Sequence, residues 1–253
     1  MTPRSLLITG ATGAIGGALA RHYAAPGIRL VLHGRRAEPL EAVARTCRDA
    51  GAEVELSRVD LTDDTALGEW LEQLALPDVV IANAGQNLHA EPGEEMEDWQ
   101  ATSRLLDINL RTPMAMAHHL APRMAERGHG QLVFLSSLAA WHGLPLTPSY
   151  SASKAGIKAY GEALRGWLTP RGVGVSVVMP GYVSSPMCHD MPGPKPWQID
   201  ADAAARRMAR GIARNKARIS FPFPLNLGCW CLAVLPAGLA QPILRWMGYG
   251  RPA

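Results

Sequence analysis

Short, uninterrupted apolar runs alternate along the chain with longer stretches in which apolar positions recur at helical spacing. The runs begin near residues 5, 29, 53, 79, 131 and 173, with a further candidate near 219. Segments such as Asp78-Val-Val-Ile-Ala82 and Val173-Gly-Val-Ser-Val-Val-Met179 are too short for helices and carry no polar face, which predicts strands covered on both sides. Strand and helix in alternation predict an α/β fold, a parallel sheet flanked by helices on both faces, over a single domain of residues 1–253. In such a sheet ligands bind at the carboxyl ends of the strands, and Gly10, Asn83, Ser137 and Pro180 all fall there.

Composition narrows the function classes. A chain of 253 residues can bury a full core, and a net charge of +3 gives no case for nucleic acid. Cys47, Cys188, Cys229 and Cys231 are too scattered for a disulfide framework, and no four-ligand metal spacing occurs. Cys229-x-Cys231 lies in an apolar stretch and reads as packing. The first strand begins almost at the first residue, leaving no room for a signal peptide, so a reducing cytoplasm is expected.

The first apolar run leads into Gly10-Ala-Thr12-Gly13-Ala-Ile15-Gly16-Gly17 and an Ala-rich helical stretch ending near Ala25. Glycine permits the tight turn and the close approach of backbone to a pyrophosphate, and the helix start offers unpaired N–H groups. The order strand, glycine turn, helix predicts a dinucleotide site. After the second strand, Gly34-Arg35-Arg36 stands where a carboxylate would hold the ribose hydroxyls of NAD. Arg35 or Arg36 pairs better with a 2′-phosphate, which favours NADP over NAD.

Tyr150 and Lys154, four residues apart on a predicted helix, project from one face. A free phenol has a pKa of about 10, so a base at neutral pH needs a shift of roughly three units, or about 4 kcal/mol. An ammonium about 4 Å away supplies an energy of that size at an effective dielectric of about 20. Ser137 closes the apolar run Gln131–Ser137, read as a strand, and offers a hydroxyl to hold a carbonyl or alcohol oxygen beside the phenol.

In order and spacing, Thr9-Gly10-x5-Gly16, Asp60-Leu61, Asn83-Ala84-Gly85, Asn109, Ser137, Tyr150-x3-Lys154 and Pro180-Gly181-x-Val183-x-Ser185 resemble the short-chain dehydrogenase/reductase family, over about residues 5 to 190. The resemblance implies a Rossmann-type doubly wound sheet and an oxidoreductase that interconverts a carbonyl and an alcohol. It implies that Tyr150 is the general acid of reduction and the base of oxidation, with Ser137 orienting the substrate oxygen. Lys154 would lower the phenol pKa and bind the nicotinamide ribose, and Asn109 would hold a water linking Lys154 to solvent. By the same resemblance Asp60 and Leu61 meet adenine, and Asn83, Ala84 and Gly85 flank the adenosine ribose and pyrophosphate. Val183 and Ser185, after Pro180 and Gly181, fix the carboxamide. Members commonly form homodimers or homotetramers on the helices bearing Asn109 and Tyr150.

The glycine at position 13 departs from the compact branch of the family, where the middle glycine stands at Ala14, and approaches the spacing of the extended branch. The short region after Pro180 keeps the chain in the compact branch. An epimerase or dehydratase that retains its nucleotide is one alternative, and a non-catalytic sensor of NADP(H) is another, disfavoured because a binding module needs no tuned phenol.

Residues 186–253 are left to shape the substrate site. Pro186–Trp197, with four prolines, Met and Trp, reads as a loop covering an apolar pocket, with His142, Leu144 and Leu146 on the same pocket. His89 and His142 read as pocket or surface residues rather than acid/base groups. Residues 201–216 predict a helix with Ala204, Met208 and Ile212 on one side and arginines at four-residue spacing on another. Leu225–Leu244 is mostly apolar but broken by Pro236 and Pro242, which argues against a simple membrane span. Three outcomes stay open for it: a core or lid helix, a subunit interface, or peripheral membrane contact with the arginine stripe facing anionic lipid.

Overall fold

A computed structural model describes residues 3–90 and 96–250. Its centre is one sheet of seven strands, β1 (Ser5–Ile8), β2 (Arg29–His33), β3 (Glu53–Ser57), β4 (Val79–Ala82), β5 (Gly130–Leu135), β6 (Val173–Pro180) and β7 (Arg218–Phe221). All six pairings are parallel, in the order β3-β2-β1-β4-β5-β6-β7. The helices are α1 (Ala14–Tyr23), α2 (Ala37–Asp49), α3 (Asp64–Gln73), α4 (Trp99–Leu106), α5 (Thr112–Arg127), α6 (Pro148–Leu168), α7 (Pro186–Asp190), α8 (Ala201–Ala213), α9 (Leu225–Val234) and α10 (Ala237–Leu244).

Alternate strand residues point to opposite faces, and both faces are covered. Leu6, Ile8, Leu30 and Leu32 pack with Ala18 of α1, Leu40 of α2 and Met208 of α8. Leu7, Val31 and Val80 pack on the other side with Leu67 of α3, Met116 of α5 and Ile157 of α6. Every residue of β4 and of β6 is buried, as expected for central parallel strands.

The chain runs outward from β1 to β3, then returns to place β4 on the other side of β1. The turns after β1 and β4 therefore diverge and leave a crevice at their carboxyl ends, the place where such sheets take ligands.

Three expectations change. The strand ahead of Ser137 ends at Leu135, and Ser137 instead caps a short 3-10 turn, Leu138–Ala140. Part of the expected Pro186–Trp197 loop is helix α7, capped by the Ser185 hydroxyl, which accepts the Cys188 N–H at 3.0 Å. The arginine-bearing helix α8 buries Ala204, Met208 and Ile212 against α1's side of the sheet, together with Val178 and Ile219. Leu225 and Cys229 of α9 pack instead with Val177 and Met179, whose side chains leave the opposite face. The arginines of α8 thus lie on the other side of the sheet from α9, whereas Arg218, the last of the stripe, stacks over Trp141 on the α9 side.

Candidate active site

Gly10 adopts a left-handed φ of +67°, which favours glycine, and turns the chain from β1 toward α1. A Cβ on Gly16 would stand 2.3 Å from the Gly10 carbonyl oxygen, so only glycine lets the helix start so close to the turn. Gly13 is the N-cap of α1 and provides no side chain to satisfy the first-turn N–H groups. Across the crevice Asn83 donates its amide to the carbonyls of Thr9 (2.9 Å) and Gly10 (3.2 Å). The Thr9 hydroxyl accepts the N–H groups of Asn83 and Ala84, both at 3.0 Å. Asn83 therefore braces the glycine turn from behind while lining the cavity.

That cavity, about 1120 Å³, runs from this turn to the C-terminal helices. At one end it is lined by Thr12, Gly13, Ile15, Arg35, Arg36, Asp60 and Leu61. Arg35 and Arg36 are exposed, and no carboxylate stands between His33 and Arg36. Asp60 is engaged by its own turn: its carboxylate accepts the Thr62 N–H (3.0 Å) and hydroxyl (2.8 Å), which hold its pKa below the ordinary value. Arg104 and Asp107 line the same cavity, and nothing in their sequence context singled them out.

Ser137, Tyr150 and Lys154 come together in the middle. The 3-10 turn presents Ser137, the second position of α6 after Pro148 brings in Tyr150, and Lys154 follows one turn on. The Ser137 hydroxyl neighbours the Tyr150 phenol and acts to lower its pKa. The Lys154 ammonium lies 5.6 Å from the centroid of the Tyr150 ring and donates to the Leu135 carbonyl at 2.9 Å. Burial raises the phenol pKa above its ordinary value, with the Ser137 hydroxyl opposing, and pushes Lys154 down to about 8. The expected lowering of the phenol is thus reversed here. Burial penalises both charged forms, and the ammonium is turned to a backbone carbonyl.

Asn109 sits in a π-helical turn, Asp107–Arg111, between α4 and α5, and is buried. Its oxygen accepts the Gln86 N–H (2.8 Å), while its amide donates to the Gln86 carbonyl (2.9 Å) and the Ser153 hydroxyl (3.1 Å). Both amide hydrogens are used, so the side chain fastens the segment after β4 to the α6 helix. Gly85 makes this approach feasible: a Cβ there would meet the Asn109 oxygen at 3.0 Å and the Lys154 nitrogen at 3.4 Å. Gln86, Ser153 and Ser136, whose hydroxyl donates to the Lys154 carbonyl at 2.7 Å, carried no motif to reveal them.

Beyond Pro180 and Gly181, an isolated parallel bridge pairs Val183 with Ile199 through the backbone groups of Tyr182 and Ser184. The N–H and C=O of Val183 are thereby turned away from Ile199. Ser185 lines the cavity, but its hydroxyl is spent on the cap of α7 and on the Val183 carbonyl, 3.2 Å away. The far end of the cavity is apolar, with Met187, Met191, Trp197, Leu232, Leu235 and Met247 among its walls. His142 and Leu144 line it; Leu146 does not, and packs toward Gly193 instead. The Tyr249 hydroxyl donates to the Pro194 carbonyl (2.9 Å) and accepts from the Tyr182 hydroxyl (3.1 Å), pinning the turn Arg245–Tyr249 beside the site. Burial lifts the Cys229 thiol to about 11, as packing rather than reactivity requires.

A short chain dehydrogenase family model matches residues 4–194, a stretch containing every residue of the Ser137, Tyr150 and Lys154 cluster. The chain belongs to the short-chain dehydrogenase/reductase family. This dehydrogenase is an oxidoreductase with the family's seven-stranded parallel sheet. It is 34% identical over 249 residues to an uncharacterized oxidoreductase of Myxococcus xanthus, covering 97% of this chain and 98% of that one. It is 32% identical over 215 residues to the cis-4-hydroxycyclohexanecarboxylate dehydrogenase of Sinomonas cyclohexanicum, covering 83% and 84%. A short-chain dehydrogenase from Sphingobium yanoikuyae, solved in complex with NADPH, superposes with a TM-score of 0.81 at 25% identity, covering 98% of each chain.

Proposed function

We propose that this dehydrogenase is an NADP-dependent enzyme that interconverts a ketone or aldehyde with the corresponding alcohol on an apolar small molecule. Residues 1–253 act as one nucleotide-binding unit in which residues 186–253 form the substrate region. The observation that carries the reading is the convergence of Ser137, Tyr150 and Lys154 on one cavity that has two arginines at one end and apolar walls at the other.

The residues fit the dinucleotide. The glycine turn leaves no side chain over the start of α1, so its N–H groups suit a pyrophosphate. Arg35 and Arg36 suit a 2′-phosphate, and the Sphingobium relative holds NADPH. When bound, NADPH supplies the hydride. Ser137 donates to the carbonyl oxygen of the substrate and Tyr150 gives it a proton, which yields the alcohol. A phenol raised by burial is fully protonated at neutral pH, the form that reduction consumes. Lys154 steadies the tyrosinate until it regains a proton from solvent. The Sinomonas relative, named for a ring-borne hydroxyl, supports an alcohol and ketone pair.

Exposed Trp99 on α4, Met114 on α5 and Trp167 on α6 support assembly as a homodimer or homotetramer through these helices. Four free cysteines agree with the reducing cytoplasm. Fluorescence titration with NADPH and NADH, followed by a panel of apolar ketones with NADPH oxidation as the signal, tests the reading. Tight NADPH with weak NADH and turnover of a ketone is the expected result. Failure to bind either nucleotide overturns it.

A further inference from the structure

From Phe221 to Gly250 the sequence holds one charged residue, Arg245. This stretch contains α9, whose single polar side chain, Asn226, is turned to Ser220 and which has no buried residue. A helix without a polar face belongs in an apolar surrounding, either a protein core or lipid. Its outer side continues into a plateau of Phe223, Trp230, Val234, Leu239 and Trp246, with Phe223 75% and Trp246 87% exposed. Large apolar side chains exposed at this density mark a docking face.

Other residues of the same segments line the substrate end of the cavity. Met187, Trp197, Leu227, Leu235, Ile243 and Met247 are at once exposed and part of the cavity wall, so they form an apolar rim between solvent and the chamber. A second copy seated there would stopper that rim. A lipid surface would not, because an apolar substrate dissolved in it could pass over the rim into the chamber. Tryptophans at 197, 230 and 246 suit the boundary between headgroups and hydrocarbon, where amphipathic rings collect. No helix among the described residues is long and apolar enough to cross a membrane, so the contact is one of lying on the surface. With the arginines of α8 on the other side of the sheet, the attraction is hydrophobic.

We propose that the α9–α10 cap docks on the surface of a lipid bilayer and that the substrate enters the chamber from the lipid phase. The substrate is then a lipid-soluble carbonyl compound or alcohol, a statement that rests on the catalytic reading above, whereas the docking itself does not.

Flotation of the full chain with phosphatidylcholine vesicles, with and without anionic phosphatidylglycerol, tests docking. The expected result is co-flotation with both, and ~10-fold lower partition for the triple variant Trp230→Glu, Leu239→Glu, Trp246→Glu. None of the three residues lines the cavity. NADPH binding by the variant, measured in parallel, shows that it is folded and separates a failure of docking from a failure of the enzyme reading. Wild-type protein that stays with the soluble fraction in both vesicle types overturns the proposal. So does an NADPH-binding variant that floats as well as wild type, or one that sediments as a smaller assembly than wild type, since the plateau would then be a contact between copies. A variant that binds no NADPH is replaced by the milder Trp246→Gln with Leu239→Gln, for which partial loss of flotation is expected and unchanged flotation overturns the proposal.

Discussion

The Ser136 hydroxyl donates to the Lys154 backbone carbonyl at 2.7 Å, tying the end of β5 to the second turn of α6 through a group that takes no part in the reaction. This bond and the Lys154 contact to Leu135 fix the distance between the turn bearing Ser137, just after β5, and the helix bearing Tyr150. Ser136→Ala is expected to cost about 1 kcal/mol of stability and to lower kcat more than it raises KM. Thermal unfolding and steady-state kinetics check both, and an unchanged kcat would show that the packing of α6 alone sets the geometry.

Tyr150→Phe removes the proton donor and keeps the ring. Turnover should vanish while NADPH binding stays within a few-fold of wild type, as read by nucleotide fluorescence. Retained activity would assign the proton to another group.

Replacing Arg35 and Arg36 with alanine is expected to weaken NADPH by ~10–100-fold, the loss of charge-assisted hydrogen bonds to a phosphate, and to leave NADH nearly unchanged. Equal weakening of the two nucleotides in a titration would remove the 2′-phosphate from the account.

Burial lowers Lys154 from 10.5 to about 8. Between those values the unfolded chain binds more protons than the folded one, so stability rises with pH across the window. The penalty is fully present below pH 8 and relieved toward 10.5, and amounts to about 3 kcal/mol at most. Denaturant titrations of wild type and Lys154→Met from pH 7 to 10 should therefore show the difference moving in favour of wild type. A constant difference would mean that Lys154 keeps its ordinary pKa in the folded chain.

Gly16→Ala sets a methyl against the Gly10 carbonyl and 2.8 Å from the Asn83 amide. The expected cost is about 1–3 kcal/mol together with loss of nucleotide binding, measured by melting and titration.

The sheet was legible in the sequence because its strands are short apolar runs with no polar face, and β4 and β6, buried along their whole length, are the plainest cases. Ser137, Tyr150 and Lys154 were legible because side-chain chemistry at a fixed spacing marks them. The supporting contacts were not. Gln86 meets Asn109 through its backbone, and a backbone group leaves no trace in residue type. The direction of the Tyr150 shift depends on burial against charge, and spacing reports only the charge. The division of the arginines between the two faces of the sheet was hidden for a similar reason. Adjacent segments on either side of an edge strand can fold to opposite faces, and only the alternation of Val177 and Val178 decides which. Gly13, the one departure in the glycine turn, proves to be an ordinary N-cap on the open side of the loop, and a Cβ there would touch only the Gly10 oxygen at 3.3 Å.

The strand order also bears on how such a chain can be retasked. The nucleotide end is assembled on β1, β2 and β4, whereas the chamber hangs from β6 and β7 at one margin of the sheet. A few polar contacts hold the last helices over the site: the clasp of Tyr249 on Tyr182 and Pro194, the approach of Gln241 to His142, and the Asn226 amide donating to Ser220. Residues 222–250 are therefore an interchangeable part. Grafting a different cap at Phe221 would alter which molecules are admitted while leaving the phosphate turn, and the proton chemistry beneath it, where they are.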